Sequence, residues 1–336
     1  MNEYYFSRLS PDEAYAYEGI LKGLEWGSES INACGVTDSD MLRKVIQAVH
    51  FDHPELFNVD FWSISSRKKT DCMEYLPKYY YGYAEFHEKK AAIENKAEQI
   101  IQKLNGSKAR SVYEKCLWLH DHMVRNCTYD EEAIKEGADI KGAYTIEGFF
   151  LNNTAVCAGI ALAYRYLCKM AGIDAIFVSG NSIHPETKDY GNHAWNIIRA
   201  GNAAIQVDVT WDMCLTKKDG PVRYDYFFLP DIEMMRDHQY VGYPSCSNKE
   251  VNMYARRNAL FTSSESIKDY LDRILENRAG KKRVFIQFKM IKRIETKEEI
   301  SGLVREHISR KTNKAFSMSY TVNDRHSVFL FDVRFN

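Results

Sequence analysis

The chain has 336 residues, 45% of them apolar or aromatic and 27% charged, with a formal net charge of −1. That length allows a sizeable core and two or three structural units. So even a charge balance gives no electrostatic case for nucleic acid or for an anionic membrane surface as partner. The N-terminal stretch has no basic segment leading into an apolar one, and no apolar run reaches bilayer-spanning length. The eight cysteines are scattered without CxxC pairs or Cys/His clusters. These features point to a cytoplasmic chain with reduced thiols, no cofactor and no metal site.

Ser10-Pro11-Asp12-Glu13 opens a predicted helix over 10–24, and Thr37-Asp38-Ser39 another over 38–49. Two aromatic runs, Phe61-Trp62-Ser63-Ile64-Ser65 and Tyr79-Tyr80-Tyr81-Gly82-Tyr83, predict a strand pair within 59–85. Residues 84–104, rich in Ala, Glu and Lys, predict a long helix. Val112, Cys116, Leu119 and Met123 mark the apolar face of another over 108–126. Beyond Pro244 the pattern changes to helix 264–277, strand 283–290, helix 296–309 and strands 315–322 and 327–335, joined at Asn323-Asp324. The chain thus divides into a mainly helical region with a possible strand pair over 1–83, a core over 84–248 and a small α/β unit over 249–336.

The chemistry lies in the middle unit. Cys157, Ile160, Ala161, Tyr164, Leu167, Cys168 and Ala171 recur at helical spacing, and Gly172 supplies a stop. With Thr154 as N-cap, Cys157 falls in the first turn, where the helix dipole favours a thiolate. Gly159 is expected to keep the outer face thin beside the sulfur. Taken alone, such a cysteine is more often a small core residue. Gly191–Arg199 and Ala203–Trp211 read as two strands joined by the hairpin signal Ala200-Gly201-Asn202. A loop at Ala200-Gly201 sets His193 opposite Asp208. A loop at Gly201-Asn202 sets Asp208 opposite Trp195 and diagonal to His193. Both registers leave His193 and Asp208 on one face. Asp208 stands among Ile205, Val207 and Val209, where an unpaired carboxylate is costly and His193 relieves the cost. A thiol, a histidine to take its proton and a carboxylate to orient the imidazole are the parts of a nucleophilic acyl-transfer site.

Ala155-Val156-Cys157-Ala158-Gly159-Ile160-Ala161, Asn192-His193-Ala194-Trp195-Asn196 and Asp208-Val209-Thr210-Trp211-Asp212 resemble, in this order, the core motifs of the transglutaminase-like superfamily. Leu119-His120-Asp121 and Asn126-Cys127-Thr128-Tyr129-Asp130 resemble its upstream helix and tyrosine, and Asp52-His53-Pro54-Glu55-Leu56-Phe57 the leader region of bacterial members. The resemblance covers about residues 108–215; Ala158 stands where bacterial relatives often carry a polar residue. It implies an α+β fold with a papain-like core, a helix carrying the cysteine packed on an antiparallel sheet carrying histidine and aspartate. It implies catalytic roles for Cys157, His193 and Asp208. The family includes cross-linking transglutaminases, peptidases, peptide N-glycanases and inactive scaffolds, so the motifs imply a thiol mechanism and not a substrate.

The backbone N–H of Cys157 is the natural oxyanion donor, with Tyr129 or Tyr144 as side-chain candidates. Trp195, on the face of His193, is the better candidate for a cleft wall than Trp211. His120-Asp121-His122 reads as a solvated helix face rather than a metal site, Asp212 as a weaker rival to Asp208, and His184 as a surface residue in the loop before the hairpin. Transamidation needs an apolar channel that excludes water and admits an amine. No such channel is evident, so the preferred activity is hydrolysis of a protein or peptide amide through a Cys157 thioester. Protein-glutamine cross-linking and a catalytically silent scaffold are the alternatives.

Overall fold

The computed structural model describes residues 3–135, 142–183, 190–201, 203–248, 252–278, 280–291 and 295–336. In the first unit Ser10 and Glu13 form a reciprocal capping box at the start of α1 (Pro11–Glu25). There follow β1 (Ile31–Cys34), α2 (Ser39–Asp52) capped by Asp38, β2 (Ser65–Lys68) and β3 (Cys72–Leu76). The three strands form an antiparallel sheet in the order β1-β3-β2. Tyr17, Ile20 and Leu24 of α1 and Leu42, Val45 and Val49 of α2 close over it. The strands do not lie where the aromatic runs placed them. The paired strands come from the stretch between those runs, β2 starting at Ser65, the last residue of the first run, while Tyr79 of the second makes a lone bridge to Val59. The reason is tertiary: β1 pairs with β3 and lets Met73 and Tyr75 be buried, which outweighs local strand preference.

The middle unit starts with α3 (Tyr83–Gly106) and α4 (Val112–Asn126), the latter opened by a Ser111–Glu114 capping box. Cys116, Leu119, His120, Met123 and Val124 form the buried face of α4. Val112, assigned to that face from its spacing, is 37% exposed, because as the first helical residue it lies beyond the edge of the core. A two-stranded parallel bridge joins β4 (Thr128–Tyr129) to β5 (Thr154–Ala155), and α5 (Cys157–Met170) follows directly. Next come β6 (Asp174–Ile183), β7 (Tyr190–Ala200), β8 (Ala203–Val207), α6 (Val209–Leu215), β9 (Phe227–Leu229), α7 (Asp231–Met234) and β10 (His238–Gln239). Their sheet is antiparallel throughout, in the order β10-β6-β7-β8-β9. Helix α5 packs Ala161, Tyr164 and Leu167 toward Ala175, Phe177, Ala194 and Ile198. Asn196 stitches sheet to helix by donating from Nδ2 to the Ala161 carbonyl at 3.0 Å. Arg165 of α5 also reaches the first unit, with Nη2 3.1 Å from Oδ1 of the fully buried Asp52 at the end of α2.

The last unit runs α8 (Met253–Arg256), β11 (Leu260–Phe261), α9 (Ile267–Glu276), β12 (Arg283–Met290), α10 (Lys297–Lys311), β13 (Phe316–Asn323) and β14 (Val328–Phe335). Its sheet order is β11-β12-β14-β13, with β11 parallel to β12 and the other pairs antiparallel. Ile267 and Leu271 of α9 and Ile300, Val304 and Ile308 of α10 bury against Ile286, Phe288, Phe329 and Phe331. This apolar core is continuous with that of the middle unit. Among the described residues no helix is long and apolar enough to cross a membrane.

Candidate active site

The chain enters α5 in an extended conformation. Val156, not Thr154, is the N-cap, and it offers no side-chain cap. Thr154 is instead drawn into the bridge with Thr128, and the Val156 N–H donates to the Ala143 carbonyl at 3.0 Å. Cys157 is therefore the first helical residue, half-buried, at the end of the helix where backbone N–H groups have no intrahelical acceptor. Gly159 does not thin an outer face as its position suggested. It is buried, and a Cβ there would lie 2.4 Å from the Ala143 oxygen and 2.8 Å from that of Thr145. Gly159→Ala is expected to push on backbone rather than on a pliable side chain, costing about 1–3 kcal/mol in urea unfolding. A wild-type unfolding midpoint in that variant would mean that the loop yields freely.

The hairpin adopts the second of the two registers, with Ala200 opposite Ala203. The strand expected over Ala203–Trp211 stops early. β8 ends at Val207 with an irregularity against β9, and Asp208 becomes the N-cap of α6. The carboxylate thereby serves two roles. Its Oδ1 accepts from the Trp211 N–H at 3.1 Å, and its Oδ2 lies 2.6 Å from His193 Nε2. Cys157 lies near enough to the His193 ring to act on its charge. Across the sheet from His193 stands Gly180, where a Cβ would lie 2.4 Å from the Gln239 oxygen and 2.7 Å from the Trp195 ring.

Burial alone depresses the proton affinity of His193. The Asp208 charge and hydrogen bond outweigh it, with a further contribution from Cys157, and lift the pKa from 6.5 to about 10. Burial acts upward on Asp208, but His193 and His238 overcome it and hold the carboxyl down at about 2, against 3.8 ordinarily. The folded histidine thus binds its proton more tightly than the unfolded one. Its stabilising share is complete below about pH 6.5 and is lost as pH rises toward 10. The share of Asp208 is complete above about pH 3.8 and is lost as pH falls toward 2. The stability gap between wild type and His193→Gln is therefore expected to be widest near pH 4–6.5 and to narrow toward pH 10. Denaturant midpoints measured across that range check it; a gap that widens with pH would contradict the assignment.

Residues 97–209 match the sequence model of the transglutaminase-like superfamily. The match spans about a third of the chain. Comparison with curated proteins gave no match. Among solved structures, the chain is similar to a TGase at 16% identity and TM-score 0.32, covering 56% of this chain and 52% of that one. It is also similar to a protein described as a cysteine protease of Cytophaga hutchinsonii, at 13% identity and TM-score 0.27, covering 44% and 61%. A third is an arylamine N-acetyltransferase of Bacillus cereus with a Cys-His-Glu triad, at 15% identity and TM-score 0.28, covering 35% and 49%. The chain spans about half to three-fifths of the length of these structures.

Within the transglutaminase-like segment, Tyr129 and Tyr144 both lie close enough to Cys157 for its charge to act on their hydroxyls. Tyr144 also packs edge-on against Trp62 of the first unit, with ring centroids 5.6 Å apart. Trp195 is not a cleft wall. It is 1% exposed, stacks beneath His193 at 5.8 Å and donates from Nε1 to Gln206 at 2.7 Å. Trp211 is the less buried of the two, with its ring edge-on to His193 at 6.0 Å. His120 is no solvated residue. It is fully buried, with Nε2 3.1 Å from Oδ2 of Asp212, whose Oδ1 accepts from the Tyr226 N–H at 3.0 Å. Asp212 is thus a tie between α6 and α4 and no rival to Asp208. His184 lies outside the described residues.

One residue at the site escaped the sequence reading altogether. His238 is buried, with Nε2 3.1 Å from the same Asp208 oxygen that His193 holds. Among the described residues His193, Asp208 and His238 form the one group able to offer three metal ligands. Their ligand atoms are engaged in hydrogen bonds to one another.

Proposed function

We propose that this chain is a thiol-dependent acyl-transfer enzyme that hydrolyses an amide in a protein or peptide through a thioester at Cys157. The observation that carries the reading is the His193 imidazole, held by a buried carboxylate and lying near enough to Cys157, the first residue of α5, for each to act on the other's charge. In this reading His193 takes the thiol proton, and the sulfur attacks the amide carbonyl. The Cys157 N–H and the neighbouring helix end stabilise the oxyanion, with Tyr129 or Tyr144 as a side-chain donor. The imidazolium, steadied by Asp208, then protonates the leaving amine. Water resolves the thioester, with His193 as base. Similarity to a superfamily that includes cysteine peptidases, transglutaminases and acyltransferases supports this class of chemistry.

The test supplies a mixed peptide library and, in parallel, a glutamine-containing protein with a fluorescent primary amine. Peptide cleavage that disappears in Cys157→Ala is expected. Amine incorporation without cleavage, also lost in that variant, would transfer the proposal to cross-linking. Neither product, together with a Cys157 inert to electrophiles, would replace it with a scaffold.

A further inference from the structure

Behind Asp208 the polar contacts continue in a line. His238 sits on β10, opposite Ser182 of β6, with no exposed side-chain surface. Its Nε2 faces Asp208 Oδ2 at 3.1 Å and its Nδ1 faces Asp237 Oδ1 at 2.7 Å. Asp237 Oδ2 accepts from the Tyr226 hydroxyl at 2.8 Å and faces His326 Nε2 at 3.0 Å. His326, fully buried, comes from the turn between β13 and β14 in the last unit. Trp195, Trp211 and Tyr226 close around His238, with centroids 4.9, 5.2 and 5.6 Å from its ring. The other charged groups acting on the far end are Lys289 and Asp225.

Two features separate this line from ordinary core satisfaction. First, one Asp208 oxygen receives both histidines while the other receives the Trp211 N–H, so the carboxylate has no rotational freedom left. Second, a carboxylate stands at each nitrogen of the His238 ring, so the orientation of that ring follows from Asp237 as much as from Asp208. A shift of Asp237 is passed to Asp208, and from there to His193.

We infer that His238 is a positioning residue for the thiol centre, coupling Asp208 through Asp237 to His326 of the C-terminal unit. The inference rests on the reading of Cys157 as nucleophile. Seating of the C-terminal unit thereby sets the orientation of the carboxylate that steadies His193.

Full-length wild type, His238→Gln, His326→Gln and the double variant are treated with iodoacetamide, and the second-order alkylation rate of Cys157 is followed by mass spectrometry across pH. His238→Gln is expected to slow labelling about tenfold and to displace its pH profile, as loss of an outer-shell partner does at other sites. His326→Gln should act in the same direction by less, and the double variant should be no slower than His238→Gln, because the groups act in series. Wild-type profiles in folded His238→Gln and His326→Gln would overturn the inference, as would independent, multiplicative effects. Where His238→Gln does not fold, His326→Gln decides alone. Should Cys157 prove inert even in wild type, the nucleophile reading fails separately, and the proton NMR signal of His193 Nε2–H decides the coupling. A changed signal in His326→Gln upholds it, and an unchanged one overturns it.

Discussion

Replacing His193 with alanine is expected to slow alkylation of Cys157 at neutral pH by about a hundredfold or more, the usual scale for losing a positioned proton acceptor. The amide hydrolysis proposed for Cys157 should fall further, by about a thousandfold, since in that reading the same ring also protonates the leaving amine. The fold should survive. Without the imidazole, Asp208 still receives the Trp211 N–H and His238. The other seven cysteines supply an internal reference, because four of them, Cys116, Cys127, Cys168 and Cys246, are buried, whereas Cys34 and Cys214 are exposed. An activated Cys157 labels faster than these exposed thiols in wild type and no faster in His193→Ala. Labelling at the wild-type rate in the variant would mean that the ring near the sulfur does not act on it.

The second large effect concerns stability. Arg165→Ala is expected to cost about 3–5 kcal/mol, the range for removing one partner of a buried ion pair. Asp52 is fully buried, and burial works against its ionised form while Arg165 and the N–H groups of Phe6 and Tyr5 work for it. Arg165 Nη1 also donates to the Asp52 backbone carbonyl, so the guanidinium holds both the charge and the last carbonyl of α2. Truncation leaves a desolvated carboxylate at the junction between the first unit and the thiol helix. Urea unfolding of the variant measures the loss, and adding Asp52→Asn should recover part of it by removing the stranded charge. A loss below about 1 kcal/mol would show that water reaches Asp52 and that the pair behaves as a surface one.

Much of the site was legible because its signals are local. Cys157 opens a helix whose apolar spacing and Gly172 stop are plain, and the hairpin arithmetic holds His193 and Asp208 to one face whichever turn is used. What escaped was set by distant partners. Alternation along β7 put Trp195 on the face of His193 correctly, but it carries no information on depth, and Met234 of α7 with the His238 and Tyr240 rings buries that side chain. His120 looked solvated beside Asp121 because its partner, Asp212, is 92 residues away. His238 had no signal at all: it lies on a two-residue strand, and its pairing with β6 comes from the tertiary fold. The strand pair expected within 59–85 was misplaced for the same reason, since pairing with β1 makes β3 a buried strand.

Gly180 draws no notice as one small residue in a long strand. Yet a methyl group there would strike the Gln239 carbonyl and the Trp195 ring together, the one holding β10 in place and the other supporting His193. In terms of sequence drift, this closes a position that performs no chemistry. While the sheet keeps its shape, position 180 should stay glycine among descendants of this chain.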